Sequence, residues 1–474
     1  MNVAVRAVSP WLRRHGWFAG LAVVGGLLRL TAMLGYRPAL WFPDSYTYVV
    51  TAMRPRPDLV RPAGYSMFLR LLEPFHSFAA VAFVQHVLGL ATGVLVYLVA
   101  RRWKPWIGAL AAAPVLLDAY QVELEHLLVS DTLFMFLIAL AVWLGLGPLG
   151  WRRALAIGLL LAAATLTRTI GLPLIAVVAF FLVRYGGLRA AAIMLAGALL
   201  PVAAYAGWFQ ATYHRPGLVG SNGVFLYVRT MTFADCAVMR PPPDVAVLCD
   251  PRPPGERPPP QFYAWDPASP LVKLPGITFT RETDELAQRF ALLAVRSQPI
   301  EYATSLLTEL ARTFTPGRPI YPDKEVYDSY EFPATTPPPP VRYVATVGAE
   351  YAEQYEQGPI ATRIEEPYAG WIRAYQDVAA LPGPLVLVIL LIPPVAAATR
   401  LRRPRPDPPR DARWGLPWTL SVALLVVPVA TAVFDYRYVL PALPLACMAA
   451  ARSLAPRPET PVAADLPGSF VNNT

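Results

Sequence analysis

Apolar runs recur along the chain, and clusters of Arg and Lys punctuate them at alternate ends. The runs lie at about Trp17–Leu34, Phe78–Ala100, Pro105–Asp118, Leu127–Leu146, Ala154–Thr167, Leu172–Val183, Ala190–Phe209, Leu381–Ala398, Leu416–Phe434 and Tyr438–Ala451. Crossing a bilayer takes about 20 apolar residues in a helix. The pattern therefore predicts about ten transmembrane helices. The fifth and sixth runs are short at about 1.5 Å per residue, so they are expected to tilt or to cross only in part.

Basic residues fix the orientation. Arg6, Arg13 and Arg14 precede the first run, and Arg101, Arg102 and Lys104 follow the second. Arg152 and Arg153 follow the fourth, Arg184 and Arg189 follow the sixth, and Arg400–Arg413 joins the eighth to the ninth. With ten crossings, all of these fall on one side, which predicts a cytoplasmic N-terminus. No small-residue cleavage site follows the first run, which reads as a retained signal anchor.

Two polar stretches then lie outside: a first outer loop, 36–78, and a much longer one, 211–378. Inside the long loop, Leu286, Phe290 and Leu293, then Leu306, Leu307 and Leu310, fall at helical spacing. They predict two amphipathic helices between about Arg281 and Phe314, divided at Pro299. The start of the first helix is left open, since Thr283 and Leu286 make no capping box. Pro241–Pro243 and Pro337–Pro340 are expected to be irregular. The organisation expected is an N-terminal transmembrane module (1–210), an extracytoplasmic loop domain (211–378), C-terminal transmembrane helices (379–455) and a disordered cytoplasmic tail (456–474). The fold class is an all-α polytopic membrane protein.

Composition agrees. Of 474 residues, 55% are hydrophobic and 15% charged, with a mean hydropathy of +0.40; soluble domains carry about 25% charged residues. The net charge of +9 comes mostly from Arg, and reads as anchoring of inner loops. No basic stripe with interleaved aromatics points to nucleic acid. The Ala, Arg and Pro bias fits a GC-rich bacterial genome, hence a bacterial plasma membrane. Cys236 and Cys249 lie in the long outer loop, in an oxidising compartment, and are expected to form a disulfide. Cys447 lies in an apolar run.

Candidate chemistry gathers on the outer side. Trp41-Phe42-Pro43-Asp44-Ser45-Tyr46-Thr47-Tyr48 sets one carboxylate among aromatics just after the first run. Asp44 and Tyr48 would share a helix face. Asp44 is a candidate general base whose pKa an apolar pocket can tune; the plainer alternative is an N-cap of a short interfacial helix. Arg61 stands before Pro62-Ala63-Gly64-Tyr65, where Pro62 suits a first helical turn and the helix would run to about Leu72. A helix N-terminus beside Arg61 suits phosphate; the alternative is an Arg reaching for headgroups. Arg168 faces outward with no charge run around it, as a phosphate ligand or a headgroup anchor. Glu123, Glu125, His126 and Asp131 cluster at the start of the fourth run. There, Glu125 and His126 could make a metal or acid/base site, or the cluster is a solvated helix end. Asp435 and Arg437 sit between the last two runs, either as an ion pair or with Arg437 on a phosphate oxygen.

No phosphate-cradling P-loop, dinucleotide fingerprint or nucleophile elbow is present. A donor already held in the membrane fits this better than a nucleotide sugar.

The ordered set of motifs resembles the GT-C superfamily of polyprenyl-phosphate-dependent glycosyltransferases. Its members include the aminoarabinose transferase of lipid A, the protein O-mannosyltransferases and the mycobacterial arabinofuranosyltransferases. The set is Pro43-Asp44-Ser45 with Tyr48, Arg61-Pro62-x-Gly64-Tyr65, Ser130-Asp131, Arg168, Arg437-Tyr438 before Pro441-x-x-Pro444, and the large loop after the seventh run.

The resemblance implies a GT-C-like fold and an inverting transfer from a polyprenyl-phosphate sugar to a glycan, lipid or protein acceptor on the outer face. Asp44 would be the base and Arg61, Arg168 and Arg437 the phosphate ligands. Tyr48, Tyr65, Glu125, His126 and Asp131 would line the pocket. Several relatives pair two acidic residues in the first loop. Here Ser45 follows Asp44, which leaves a divalent metal cation an open question. The rival readings are a transporter or flippase of lipid-linked sugars, an O-antigen ligase or polymerase, and an inactive structural subunit.

Overall fold

The structure is a computed structural model that describes residues 10–101, 104–338, 343–401 and 413–454. Arg6, Arg102, Pro339, Pro340, most of the basic Arg400–Arg413 loop and the 456–474 tail lie outside the described residues. The described chain is mostly helical, with one two-stranded antiparallel pairing of Tyr36–Arg37 with Arg363–Ile364.

Helices α1 (Pro10–Gly35), α4 (Phe78–Ala100) and α9 (Gly171–Tyr213) are long and apolar enough to cross a membrane; between α1 and α4 come α2 (Pro43–Met53) and α3 (Gly64–Leu72). A fourth crossing arises if α5 (Pro105–Leu117) and α6 (Ala119–His126) count as one span. The apolar helices α7 (Asp131–Gly145), 383–399 and Gly415–Thr431 are shorter, and α8 (Trp151–Thr167) has 17 residues. α1 leaves Trp17, Val23, Val24, Leu27 and Leu30 exposed. A soluble helix would bury such a stripe; in a bilayer it meets lipid.

Three boundaries differ from the sequence pattern, each for a local reason. The third run does not end in a loop. Asp118 takes an extended conformation, accepts the Gln121 N–H at 3.1 Å, and restarts the chain as α6 at 53° to α5. The fourth run begins at Asp131 rather than Leu127, because Leu127 and Leu128 run extended beside Leu40: Leu128 N–H bonds the Leu40 carbonyl at 3.1 Å and Leu40 N–H bonds the His126 carbonyl at 3.2 Å. The sixth and seventh runs are continuous as α9 except at Gly187, where φ is +80°. Only glycine takes that conformation cheaply. The break falls between Arg184 and Arg189.

The transmembrane core is built from Leu95, Leu116, Ile138, Leu161, Leu174, Met194 and residues of the last three helices. Segment 222–297 has a core of its own, centred on Val224, Tyr227, Leu248, Tyr263 and Phe290, with Cys236 and Cys249 packed against it and bonded to each other. Its Arg281–Ser297 helix begins at Thr280, whose hydroxyl accepts the Thr283 N–H at 3.2 Å, and Pro299 opens the next helix, Pro299–Ala311. Arg229 ties this body to the bundle. Its buried Nε donates to the Val429 carbonyl at 2.7 Å, and its Nη1 stands 3.7 Å from Glu309.

The later part of the long loop closes over the first outer loop. The Tyr343–Glu356 helix packs on α2, with Gly348 against Tyr46. Trp41 Nε1 donates to the Ile360 carbonyl at 3.0 Å, Thr362 donates to the Ala39 carbonyl at 2.7 Å, and Tyr355 donates to the Leu69 carbonyl at 2.8 Å. Together with the strand pairing, these contacts fix the start of α2, where Asp44 stands.

Candidate active site

Pro43 opens α2, and the Ser45 hydroxyl accepts the Phe42 N–H at 3.0 Å. Ser45 therefore serves the helix start, and the N-cap reading of Asp44 does not hold. Asp44 faces Arg61 and Arg437 instead. Arg61 Nη2 donates to Oδ1, and Arg437 Nη1 donates to Oδ2 at 3.2 Å across 393 residues of sequence. All three side chains are 13–16% exposed.

Arg61 sits in a turn organised by Asp58, whose Oδ1 accepts the N–H groups of Val60 and Arg61 at 2.8 Å. α3 begins only at Gly64, with Ala63 as its N-cap, so Pro62 precedes the helix rather than opening it. Gly64 is needed because a Cβ there would stand 2.4 Å from the Leu166 carbonyl at the end of α8. That close approach brings the Arg61 turn to Arg168, the first residue beyond α8. Arg168 Nη1 donates to Asp131 Oδ1 at the start of α7 and lies over the Tyr438 ring at 5.2 Å. Asp131 is fully buried, and its Oδ2 has no partner among the described residues.

Arg437 comes from the turn before the last helix. Its Nε lies 3.1 Å from Asp435 Oδ2, its backbone N–H donates to Asp435 Oδ1 at 3.2 Å, and its guanidinium covers the Phe42 ring at 4.9 Å. Tyr330 donates to Asp435 Oδ1 at 2.8 Å and stacks on Phe42. The ion pair of Arg437 with Asp435 is therefore formed, and the same side chain also reaches Asp44.

The electrostatics follow from this crowding. Burial works to raise the Asp44 carboxyl, but Arg61, then Arg437, outweigh it and hold the group at about 2. Burial, then the charge of Asp44, raises the Tyr48 phenol. Tyr48 is buried, 3.1 Å from the Ser130 hydroxyl, edge-on to Tyr65, with Arg61 over its ring at 5.8 Å. Tyr65 donates to Gln85 Oε1 at 2.7 Å, and Gln85 Nε2 bonds the carbonyls of Glu125 and Leu127. Tyr48 therefore borders the cluster, while Tyr65 braces it from behind.

Glu125 and His126 are not solvated, and neither bonds to the Asp44 cluster. Both are fully buried. Glu125 receives Arg29 Nε and Nη2 at 2.7 Å each, His86 Nδ1 at 3.0 Å and Gln121 Nε2 at 3.1 Å. His86 Nε2 meets His126 Nδ1 at 3.0 Å, and His126 Nε2 bonds the Tyr36 carbonyl at 2.7 Å. This buried network joins α1, α4 and α6 and anchors the start of the first outer loop. Arg29 and His86 lie outside the motifs of the sequence. An Arg inside an apolar span was the available signal.

Among the described residues, no group of three or more His, Cys, Asp or Glu is placed to hold a metal ion. Both oxygens of Asp44 face guanidinium groups, and Glu125 is committed to Arg29. These residues do not fit a divalent cation.

No protein-family model and no curated protein matches the chain. Among solved structures it is similar to the Pmt1–Pmt2 protein O-mannosyltransferase complex of S. cerevisiae bound to the sugar donor, at 19% identity and a TM-score of 0.34. That alignment covers 47% of this chain and 37% of the yeast chain. It is also similar to ArnT from Cupriavidus metallidurans in the apo state, at 13% identity and a TM-score of 0.34, covering 92% of this chain and 76% of that one. For ArnT bound to undecaprenyl phosphate, the values are 13%, 0.32, 92% and 77%. Likenesses this loose carry no argument about activity.

Proposed function

We propose that this protein is a membrane glycosyltransferase of the GT-C type, which moves a sugar from a polyprenyl-phosphate donor to an acceptor on the extracytoplasmic face. The observation that carries the reading is the convergence of Arg61, Arg168 and Arg437, from three distant parts of the chain, around Asp44 and Asp131. Arginine binds phosphate oxygens in a planar fork. A carboxylate among such groups is placed to take a proton beside a phosphate leaving group. The motif set of the sequence supports the same reading. With the ten crossings and cytoplasmic N-terminus that the sequence pattern predicts, Asp44, Arg61, Asp131, Arg168 and Arg437 would all lie on the outer side.

The reaction is a single displacement with inversion. The acceptor O–H (or N–H) gives its proton to Asp44 as the acceptor atom bonds to the anomeric carbon. The bond from that carbon to the phosphate oxygen breaks, and its electron pair leaves with polyprenyl phosphate. The three guanidiniums meet the negative charge that grows on the phosphate. A base of this kind supplies about 10²–10⁴ in rate, and positioning supplies much of the rest. The aromatic wall of Phe42, Tyr48, Tyr330 and Tyr438 limits water around the anomeric centre.

The test is purified protein in lipid nanodiscs, supplied with a panel of polyprenyl-phosphate sugars and crude envelope acceptors. Release of free polyprenyl phosphate from one donor, dependent on acceptor, is expected. Donor carried from one leaflet to the other without release would replace the reading with transport.

A further inference from the structure

The guanidiniums assigned to the donor are already engaged. Asp44 takes Arg61 and Arg437, Asp131 takes Arg168, and Asp435 takes the other edge of Arg437. Three carboxylates meet three guanidiniums, so the cluster is formally neutral as it stands. An anion entering it must take an arginine from a carboxylate. Asp131 is fully buried and Asp435 is held by the Tyr330 hydroxyl, whereas Asp44 is partly open, and its contacts to Arg61 and Arg437 are made by guanidinium ends alone. Asp44 is the exchangeable partner.

We propose that the donor phosphate displaces Asp44 from Arg61 and Arg437, so that the base becomes available only when a donor is seated. This rests on the glycosyltransferase reading and adds an order to it: donor first, acceptor second. Before the exchange, Asp44 is a poor base, because two guanidiniums stabilise its charged form. After it, the same guanidiniums lie on the phosphate, and a new anion stands beside Asp44; both changes make the carboxylate a better proton acceptor. Asp131 stays on Arg168 Nη1 and Asp435 on Arg437, so these two guanidiniums meet the phosphate through their other nitrogens, and Asp58, Tyr48, Tyr330 and Tyr438 complete the charged and titratable surroundings.

The exchange also runs in reverse after transfer. Asp44 then carries the acceptor's proton, and the lipid phosphate has gained a negative charge. Loss of that proton to water restores the carboxylate, which takes back Arg61 and Arg437 and expels the lipid phosphate.

The experiment measures binding of undecaprenyl phosphate to protein in nanodiscs for four proteins: wild type, Asp44→Asn, the double variant Arg61→Ala/Arg437→Ala, and the triple variant. Native mass spectrometry reads the affinity, and thermal unfolding confirms that each protein is folded. Displacement predicts that Asp44→Asn binds about tenfold more tightly than wild type, or about 1.4 kcal/mol. In the background lacking both arginines, Asp44→Asn is expected to change affinity less than threefold, because nothing is left to release. Equal or weaker binding by Asp44→Asn in the wild-type background, with the double variant weakened, overturns the exchange but leaves the phosphate site standing. A wild-type protein that does not bind undecaprenyl phosphate at all removes the functional reading itself. A tenfold gain that persists without the two arginines shows simple charge repulsion and overturns the proposal.

Discussion

Replacing Glu125 with alanine separates a structural acid from a catalytic one. The Glu125 carboxylate accepts two bonds from Arg29 at 2.7 Å, one from His86 and one from Gln121, all inside the protein. Arg29 is 2% exposed and would keep only its carbonyl partners, Gly25 at 3.0 Å, Leu116 at 2.9 Å and Val115 at 3.5 Å. Stranding one member of a buried ion pair costs about 3–5 kcal/mol. That is a large share of a typical stability of about 5–15 kcal/mol. The cost lies mainly in the stranded cation, so Arg29→Met in the same protein is expected to restore much of it, with a coupling of about 2 kcal/mol. Unfolding in mixed micelles with increasing dodecyl sulfate, followed by circular dichroism, measures both values. Undecaprenyl phosphate affinity should stay within about threefold of wild type once the pair is removed together. Unchanged stability with lost turnover would refute the argument and make Glu125 a reacting group.

Arg168→Ala removes a charge-assisted bond worth about 1.5–3 kcal/mol, so lipid-phosphate affinity should fall roughly 10- to 100-fold; unchanged binding removes Arg168 from the site. Gly64→Ala forces a Cβ against the Leu166 backbone, and overpacking of this kind costs about 1–3 kcal/mol; a normal melting temperature and turnover would show that the Arg61 turn does not depend on that approach. Because the Asp44 carboxyl is held at about 2 in the free protein, it stays ionised as pH falls until near that value. The kcat/KM profile for the donor, which reports the donor-free protein, should therefore show no acid limb above about pH 4, where an ordinary carboxyl titrates, and Arg437→Ala should move a limb upward into the measurable range. The Cys236–Cys249 bridge closes a short loop, and reduction should cost the 222–297 segment about 3 kcal/mol; two free thiols found by mass spectrometry in oxidised preparations would contradict the bridge.

Much of the architecture is written in local pattern. Pro299 separates two amphipathic helices because it lacks an N–H and suits a first turn, and Gly187 interrupts α9 where the charges Arg184 and Arg189 already mark a boundary. The cluster residues were legible as isolated charges beside apolar runs, since a charge at such a place has few other uses. Their pairing was not legible, because Asp44 and Arg437 meet only through tertiary structure. Sequence proximity misled at Glu125 and His126. They lie close to Asp131 along the chain, but α6 ends at His126, and the extended stretch that follows carries the chain into a new helix. The Tyr343–Glu356 helix carries little signal of its place, because its apolar residues are Ala, Val and Tyr with no Leu, Ile or Phe stripe, and its partner, α2, is about 300 residues earlier. Tyr330 and Phe42, which frame Arg437, carry no signal that distinguishes them from ordinary aromatics.

The role of Asp44 is read most plainly by comparing wild type with Asp44→Asn in nanodiscs for two properties at once: donor binding and acceptor-dependent release of polyprenyl phosphate. If Asp44 is the base, the variant binds the donor at least as tightly and releases lipid phosphate at least 10²-fold more slowly, the loss of one general base. Release at the wild-type rate by a variant that binds donor normally would contradict Asp44 as the base and move that role to another carboxylate, with Asp131 first in line.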